Sequence, residues 1–353
     1  MKKGKKLLGG LTVAMMLLLT ACGGGGTQGG AATGDASNGA AGGAASDQKY
    51  NLRIAYLVPE EQSTHIAAVK FKETVEAKSE GRISVELYSN GSLFPSDREA
   101  IEAVQLGNVE MTIPAVAPLA GFNKKFMVFD LPFLFKTQEA AYKALDGEVG
   151  QELMKDLESN GFKGLVFGEN GFRHMSNNKG PVNTPEDLKG LKLRTLENPV
   201  HTAIFNSFGA NASPFAFGEL YTALQQKVYD AMECPISLYY TNKFYEVQDY
   251  LTMSGHVYAA TILLTNLDWY NSLPDDLKKV VDDAAVEYRD FQRKLATEQD
   301  AEFLAKLKEN GMQVNELTPE QKDAFIAASK SVYDQFSKEI GEDLVKKAMD
   351  ANN

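Results

Sequence analysis

From Asp275 to Asn310 the chain contains neither glycine nor proline. The run is built mainly of Ala, Lys, Glu, Asp, Leu and Val, a composition that demands a long helix. Helices inside one globular core average three or four turns. A helix this long reads instead as a strut lying across two lobes. The length of 353 residues agrees, being more chain than one ordinary core needs.

The rest of the body alternates between strands and helices. Asn51 to Val58 is a short apolar strand, and Ile66 to Lys78 carries apolar residues at helical spacing until Gly81 stops it. Ile83 to Tyr88 alternates as a strand. Ser96 caps a helix running to about Leu106, with Asp97 and Glu99 in its first turn. Val109 to Ile113 is the next strand. Phe162 to Phe167, Phe172 to Met175, Leu191 to Thr195 and Tyr258 to Thr265 read as further strands. Thr184-Pro185-Glu186-Asp187 reads as a helix start, and Pro319 to Asp350 as helical with a break near Gly341. This rhythm predicts an α/β fold with a mostly parallel sheet, in two lobes with a ligand cleft between them.

The N-terminus is an address rather than structure. Lys2, Lys3, Lys5 and Lys6 precede an apolar run from Leu7 to Leu19, too short for a comfortable membrane span. Leu19-Thr20-Ala21-Cys22 then resembles the lipobox of bacterial lipoproteins, which implies a lipid on Cys22. An ordinary secreted protein with a chance cysteine is the other reading. Residues 23–47 are mostly Gly, Ala, Ser and Thr and form a flexible tether. The expected organisation is a signal peptide over 1–21 and a lipidated, tethered segment over 22–49. Lobe one follows over 50–171, with a return segment at about 259–300. Lobe two covers 172–258, with C-terminal helices at about 318–353.

Much chemistry is absent from the sequence. A hydrophobic fraction of 44% excludes wholesale disorder, and a net charge of −11 argues against nucleic acid as a partner. The four histidines stand in no metal-ligand spacing, and neither a GxSxG elbow nor a Walker A loop occurs. Ser176-Asn177-Asn178-Lys179 fits SxxK, but the supporting SDN and KTG motifs are missing. With Cys22 lipidated, Cys234 is the remaining thiol, and no sequence neighbour supplies the cation a nucleophile needs. Neither metal nor cofactor is expected.

Five segments carry a more specific signal. Arg98 to Gly107 (REAIEAVQLG), Phe129 to Phe135 (FDLPFLF), Asp187 to Arg194 (DLKGLKLR), Glu219 to Gln225 (ELYTALQ) and Trp269 to Leu277 (WYNSLPDDL) occur in that order. They resemble segments of the DctP-type solute receptors of tripartite ATP-independent periplasmic (TRAP) transporters, and the resemblance covers Leu52 to about Asp350. It implies a two-lobed fold like that of periplasmic binding proteins and a binding protein rather than an enzyme. Such a receptor closes on a small organic anion and delivers it to a membrane transporter. It also implies an extracytoplasmic location, here with a lipid anchor in the membrane.

The resemblance also nominates site residues. Arg194 matches the family's ligand arginine, whose guanidinium offers two parallel donors to a carboxylate. Arg173 resembles a second ligand arginine, or else forms an interlobe ion pair. Phe217 corresponds to an aromatic that packs on the ligand, or is plain core. Cys234 stands where the family usually has an asparagine in DGxENP; here the segment reads Asp230-Ala231-Met232-Glu233-Cys234-Pro235. Sulfur is a weak donor and acceptor, so a less polar ligand is expected than the common sugar acids or C4-dicarboxylates. Ala115-Val116-Ala117, apolar where some members place polar contacts, points the same way. Lobe one is expected to contribute Asp97, unless that group only complements its helix dipole, and His65, unless it is a solvated cap. Tyr239 and Tyr240 are expected to line the cleft. The competing readings are a receptor for an ATP-driven importer, a partner of a sensor kinase, and a cell-envelope hydrolase or thiol enzyme using Cys234.

Overall fold

The computed structural model describes residues 48–353. The signal segment, Cys22 and nearly all of the tether lie outside the described residues. The body opens with β1 (Tyr50–Ala55), α1 (Ser63–Lys78), β2 (Ile83–Tyr88), α2 (Asp97–Gln105) and β3 (Met111–Thr112). Two short helices follow, α3 (Gln138–Asp146) and α4 (Glu148–Asp156). The chain then crosses the molecule in β4 (Phe162–Asn177). Beyond it lie β5 (Lys192–Thr195), α5 (Pro199–Ser207), β6 (Asn211–Pro214), α6 (Leu220–Gln225), β7 (Ala231–Pro235) and α7 (Ile236–Thr241). The return strand is β8 (Tyr250–Asn266), followed by α8 (Leu267–Ser272), α9 (Asp275–Glu309), β9 (Gln313–Glu316), α10 (Pro319–Ala328), α11 (Lys330–Ile340) and α12 (Glu342–Asp350).

Among the described residues, nine strands join one sheet in the order β2-β1-β3-β8-β4-β7-β5-β6, with β9 on β8. Each half is built on parallel pairs, β1 with β2 and β3, and β5 with β6 and β7. The halves are joined by β4 and β8, which run antiparallel to each other and to β3 and β7. The sheet is therefore mixed: five strand pairs, including β8 with β9, are parallel, and the three made by the crossing strands with each other and with β3 and β7 are antiparallel. A chain that crosses to a second lobe and returns through the same sheet must do so in opposite directions. The gap expected between Phe167 and Phe172 is not a break. It is a stretch where the β4–β8 register shifts, between Gly164 and Phe167 and again between Glu169 and Gly171. Gly171 there has φ of +100°, open to glycine but strained for other residues.

The long helix forms as the sequence demands. With 35 residues, α9 spans roughly 50 Å. Its first half packs Leu277, Val281, Ala284 and Tyr288 into the core formed by β1, α1 and β2. Its last turns pack Phe303 and Leu307 into a different core, with Leu224, Cys234 and Tyr239. One rigid element thus serves both lobes. The helix expected at Thr184 is a single 3-10 turn, Pro185–Leu188, closed by a capping box between Thr184 and Asp187. Gly190, at φ +76°, ends it. The C-terminal segment breaks at Gly341 as expected and also at the buried Ser329. Its helices share a core with Phe126, Val128 and Leu153 as well as with Phe205 of α5, so the segment expected to cover lobe two also packs on residues expected in lobe one. Among the described residues no helix is long and apolar enough to cross a membrane.

Candidate functional site

The carboxyl ends of the parallel strands in both halves converge. Leu57 and Val58 follow β1, Ile113 and Ala115 follow β3, Arg194 and Leu196 lie at the end of β5, and Cys234 lies near the end of β7; all seven line one enclosed cavity of about 30 Å³. Asp97 at the start of α2, Asn170 and Arg173 on β4, Thr261 on β8, and Phe217 complete its polar and aromatic contacts. Five of the seven expected ligand residues therefore share one cavity: Arg194, Arg173, Phe217, Cys234 and Asp97.

Arg194 is 2% exposed. Its Nε donates to the Phe215 carbonyl at 2.9 Å, and its guanidinium carbon lies 5.6 Å from the centre of the Phe217 ring. Its Nη1 is buried and has no hydrogen-bond partner. Burial without a partner pushes this guanidinium down to about 10. It is a cation held ready for an anion that the protein itself does not supply.

Arg173 is different. Its Nη2 donates to Glu233 Oε1 and to the Glu233 carbonyl, both at 2.8 Å, while Nε donates to Glu233 Oε2. Both side chains are buried. Glu233 also meets His256 Nε2 at 3.2 Å and His201 Nδ1 at 3.5 Å. His201 Nε2 in turn reaches Asp130 at 2.9 Å, and the Asp130 carboxylate accepts from Asn198 at 2.8 Å. Burial disfavours the Glu233 charge, yet Arg173 and His201 hold its carboxyl well below the usual range. Burial also opposes charge on His201, but Glu233 and Asp130 raise it above an ordinary histidine. Arg173, on β4, is thus neutralised by Glu233 on the adjacent strand β7.

Asp97 Oδ2 accepts from the Ala115 amide at 3.3 Å. Burial pushes its carboxyl up to about 7; Arg194 and Arg173 oppose this and Glu197 adds to it. The folded chain therefore holds a proton there that the unfolded chain releases near 4, and stability falls as pH rises through about 7. Asp97→Asn is expected to melt higher than the wild type at pH 8, with the difference closing below pH about 4. Parallel melting curves across pH check this, and equal midpoints at pH 8 contradict it.

The two remaining nominees lie elsewhere. His65 faces Tyr56, whose hydroxyl is 2.8 Å from its Nδ1, and it is not on the cavity wall. Tyr239 is fully buried behind the wall and donates to the His174 carbonyl at 3.0 Å. Its neighbour Tyr240 stacks on Phe303 of α9, outside the cleft. Tyr240, in the second half of α7, turns toward the strut because that helix packs on α9. Cys234 is fully buried, and burial pushes its thiol up, the opposite of what a nucleophile needs. Asn170, which sequence reasoning missed, is 7% exposed with Oδ1 unpartnered.

The lobes touch across the cleft. The Gly218 amide donates to the Pro95 carbonyl at 3.1 Å, and a Cβ on Gly218 would stand 2.9 Å from that oxygen. Gly218→Val is expected to hold the lobes apart and weaken ligand binding about tenfold or more with little change in melting midpoint. Titration together with small-angle scattering checks this; unchanged affinity and closure would contradict it.

A two-lobed fold whose strand ends meet at an enclosed interlobe cavity is the architecture of a solute receptor. Residues 54–339 match the bacterial extracellular solute-binding proteins of family 7, DctP, and the chain belongs to that family. A solute-binding protein of Verminephrobacter eiseniae is 41% identical over 282 residues, covering 79% of this chain and 83% of that one. Among solved structures, the sugar acid binding protein of Advenella mimigardefordensis, in complex with galactonate, superposes with a TM-score of 0.84 at 35% identity, covering 86% of this chain and 98% of its own. A TRAP periplasmic solute-binding protein of Sulfurospirillum deleyianum, with bound succinate, gives 0.82 at 37% identity, covering 85% and 98%.

Proposed function

We propose that this chain is an extracytoplasmic receptor that closes its lobes around a small organic acid and passes it to the membrane components of a TRAP transporter. The observation that carries the reading is Arg194, buried on the cavity wall with Nη1 unpartnered. Galactonate and succinate, the acids held by the two solved relatives, share a carboxylate, and a rigid guanidinium fork is the group that matches one. In this reading the acid docks on Arg194 with the Phe217 ring beside it, and lobe one then closes over both. Closure excludes water, which strengthens the ion pair while adding its desolvation cost. Glu233 keeps Arg173 occupied, so Arg173 shapes the wall and adds positive potential rather than taking the carboxylate alone. Receptors of ATP-driven importers share the two-lobe logic, but the family match favours a TRAP partner.

The lipobox-like Leu19-Thr20-Ala21-Cys22 supports a lipid on Cys22, with residues 23–47 as the tether to the membrane. Lobe one would be the half around β1 to β3 and lobe two the half around β5 to β7. Mass spectrometry of small molecules released by denaturing the purified receptor tests the function. A single low-mass carboxylic acid is expected, and a retained compound without an acid group would contradict the reading.

A further inference from the structure

We infer that the solute is a monocarboxylic acid with a hydroxyl near its carboxylate on a largely apolar skeleton, and that Asn170 selects the hydroxyl. The inference rests on the reading of Arg194 as the carboxylate's partner.

The first argument is charge. Two cations reach the cavity wall, Arg173 and Arg194. Glu233 holds Arg173 with both carboxylate oxygens, so one uncompensated cation is left. The remaining charged group on the wall is Asp97, which is negative when ionised. A second carboxylate on the solute would find no free cation, since Asp97 offers no positive charge in either protonation state. A buried charge without a partner is costly, so a dicarboxylate fits this cavity poorly.

The second argument is hydrogen bonding. Asn170 lies on β4 between Glu169 and Gly171, where the register with β8 shifts. The shift releases its side chain from the regular pleat, and it lines the cavity with Oδ1 buried and unpartnered. Buried polar atoms in folded proteins are otherwise almost always paired. A carbonyl oxygen here needs a donor from the solute. Of the rest of the wall, Leu57, Val58, Ile113, Leu196 and Leu238 offer apolar contact to a carbon skeleton, and Thr261, whose buried Oγ1 is also without a partner, adds one hydroxyl that can donate as well as accept. Cys234, a weak partner for any polar group, adds to this apolar side. A hydroxyl meets the need of Asn170 without charge, whereas an ammonium would bring a second charge into the cavity, with its desolvation cost.

Calorimetric titration at pH 7.5 with one skeleton and three substituents tests the inference. The probes are isovalerate, both enantiomers of 2-hydroxyisovalerate, and valine, with succinate as the dicarboxylate. One enantiomer of the hydroxy acid is expected to bind at least about tenfold tighter than isovalerate, valine and succinate, because a site built to receive a hydroxyl rejects analogues lacking it. In Asn170→Leu, which replaces an unpartnered amide by an apolar side chain of similar size, the ratio of hydroxy acid to isovalerate affinity should fall to about one. Succinate or valine outranking both hydroxy acids, no binding of either hydroxy acid, or an advantage that survives in Asn170→Leu would overturn the inference. Arg194→Ala separates the two levels. If it abolishes binding of the tightest probe while succinate ranks first, the carboxylate reading stands and this inference alone falls. If it leaves all affinities unchanged, the carboxylate reading itself falls.

Discussion

Arg194→Ala is expected to weaken carboxylate binding by two to three orders of magnitude, roughly 3–4 kcal/mol, while the chain stays folded. The size follows from burial. A carboxylate enclosed in the cleft without a guanidinium is a buried charge with no counter-ion, the costliest arrangement a closed site can present. Folding should not suffer, because in the ligand-free state the arginine has a buried Nη1 with no partner and gains only one hydrogen bond, to the Phe215 carbonyl. The ligand-free variant is expected to melt at or above the wild-type midpoint. Arg194→Lys should recover part of the affinity, since it restores the charge and not the fork. Calorimetry and thermal melting of the three proteins separate these effects. A ligand-free variant that melts far below the wild type would show that Arg194 is structural.

Glu233→Gln is expected to behave in the opposite manner, destabilising the fold by roughly 3–5 kcal/mol. This carboxylate compensates Arg173 and touches His201 and His256, all buried. Neutralising it leaves Arg173 without a counter-charge in the middle of the sheet. The sign of its pH dependence is fixed by its lowered carboxyl. Its stabilisation is fully present above the ordinary carboxylate range and is lost as pH falls through the lowered value. Glu233→Gln should thus lose most stability near neutrality, and its deficit should shrink in strong acid. Denaturant melts at pH 7 and pH 3 measure both quantities. An unchanged midpoint at pH 7 would mean that Arg173 is satisfied by other groups.

The sequence was informative wherever one local rule sufficed. The absence of Gly and Pro between Asp275 and Asn310 was enough to read α9 and its bridging role, because helix propensity needs no knowledge of the partner. Arg194 and Asp97 were nominated through the resemblance, and both line the cavity. The crossing strands were not read as continuous, since Gly168 and Gly171 look like a turn until β8 is laid beside them. Tyr239 was misjudged for a related reason. Its position beside Cys234 in sequence said nothing about which face of a six-residue helix would meet α9. Asn170 carried no signal by itself, because its importance is the partner it lacks. The Glu233 network joins residues from Asp130 to His256, far apart along the chain, and only the folded sheet brings them together.

The central claim is that a charged carboxylate is held by Arg194 in the interlobe cavity. Thermal melting of the receptor with small carboxylic acids and their uncharged amides tests it most directly, since a ligand that binds only the folded state must raise the midpoint. The account predicts that at least one acid raises the midpoint while its amide, of nearly the same shape, does not. Equal shifts from an acid and its amide would contradict it.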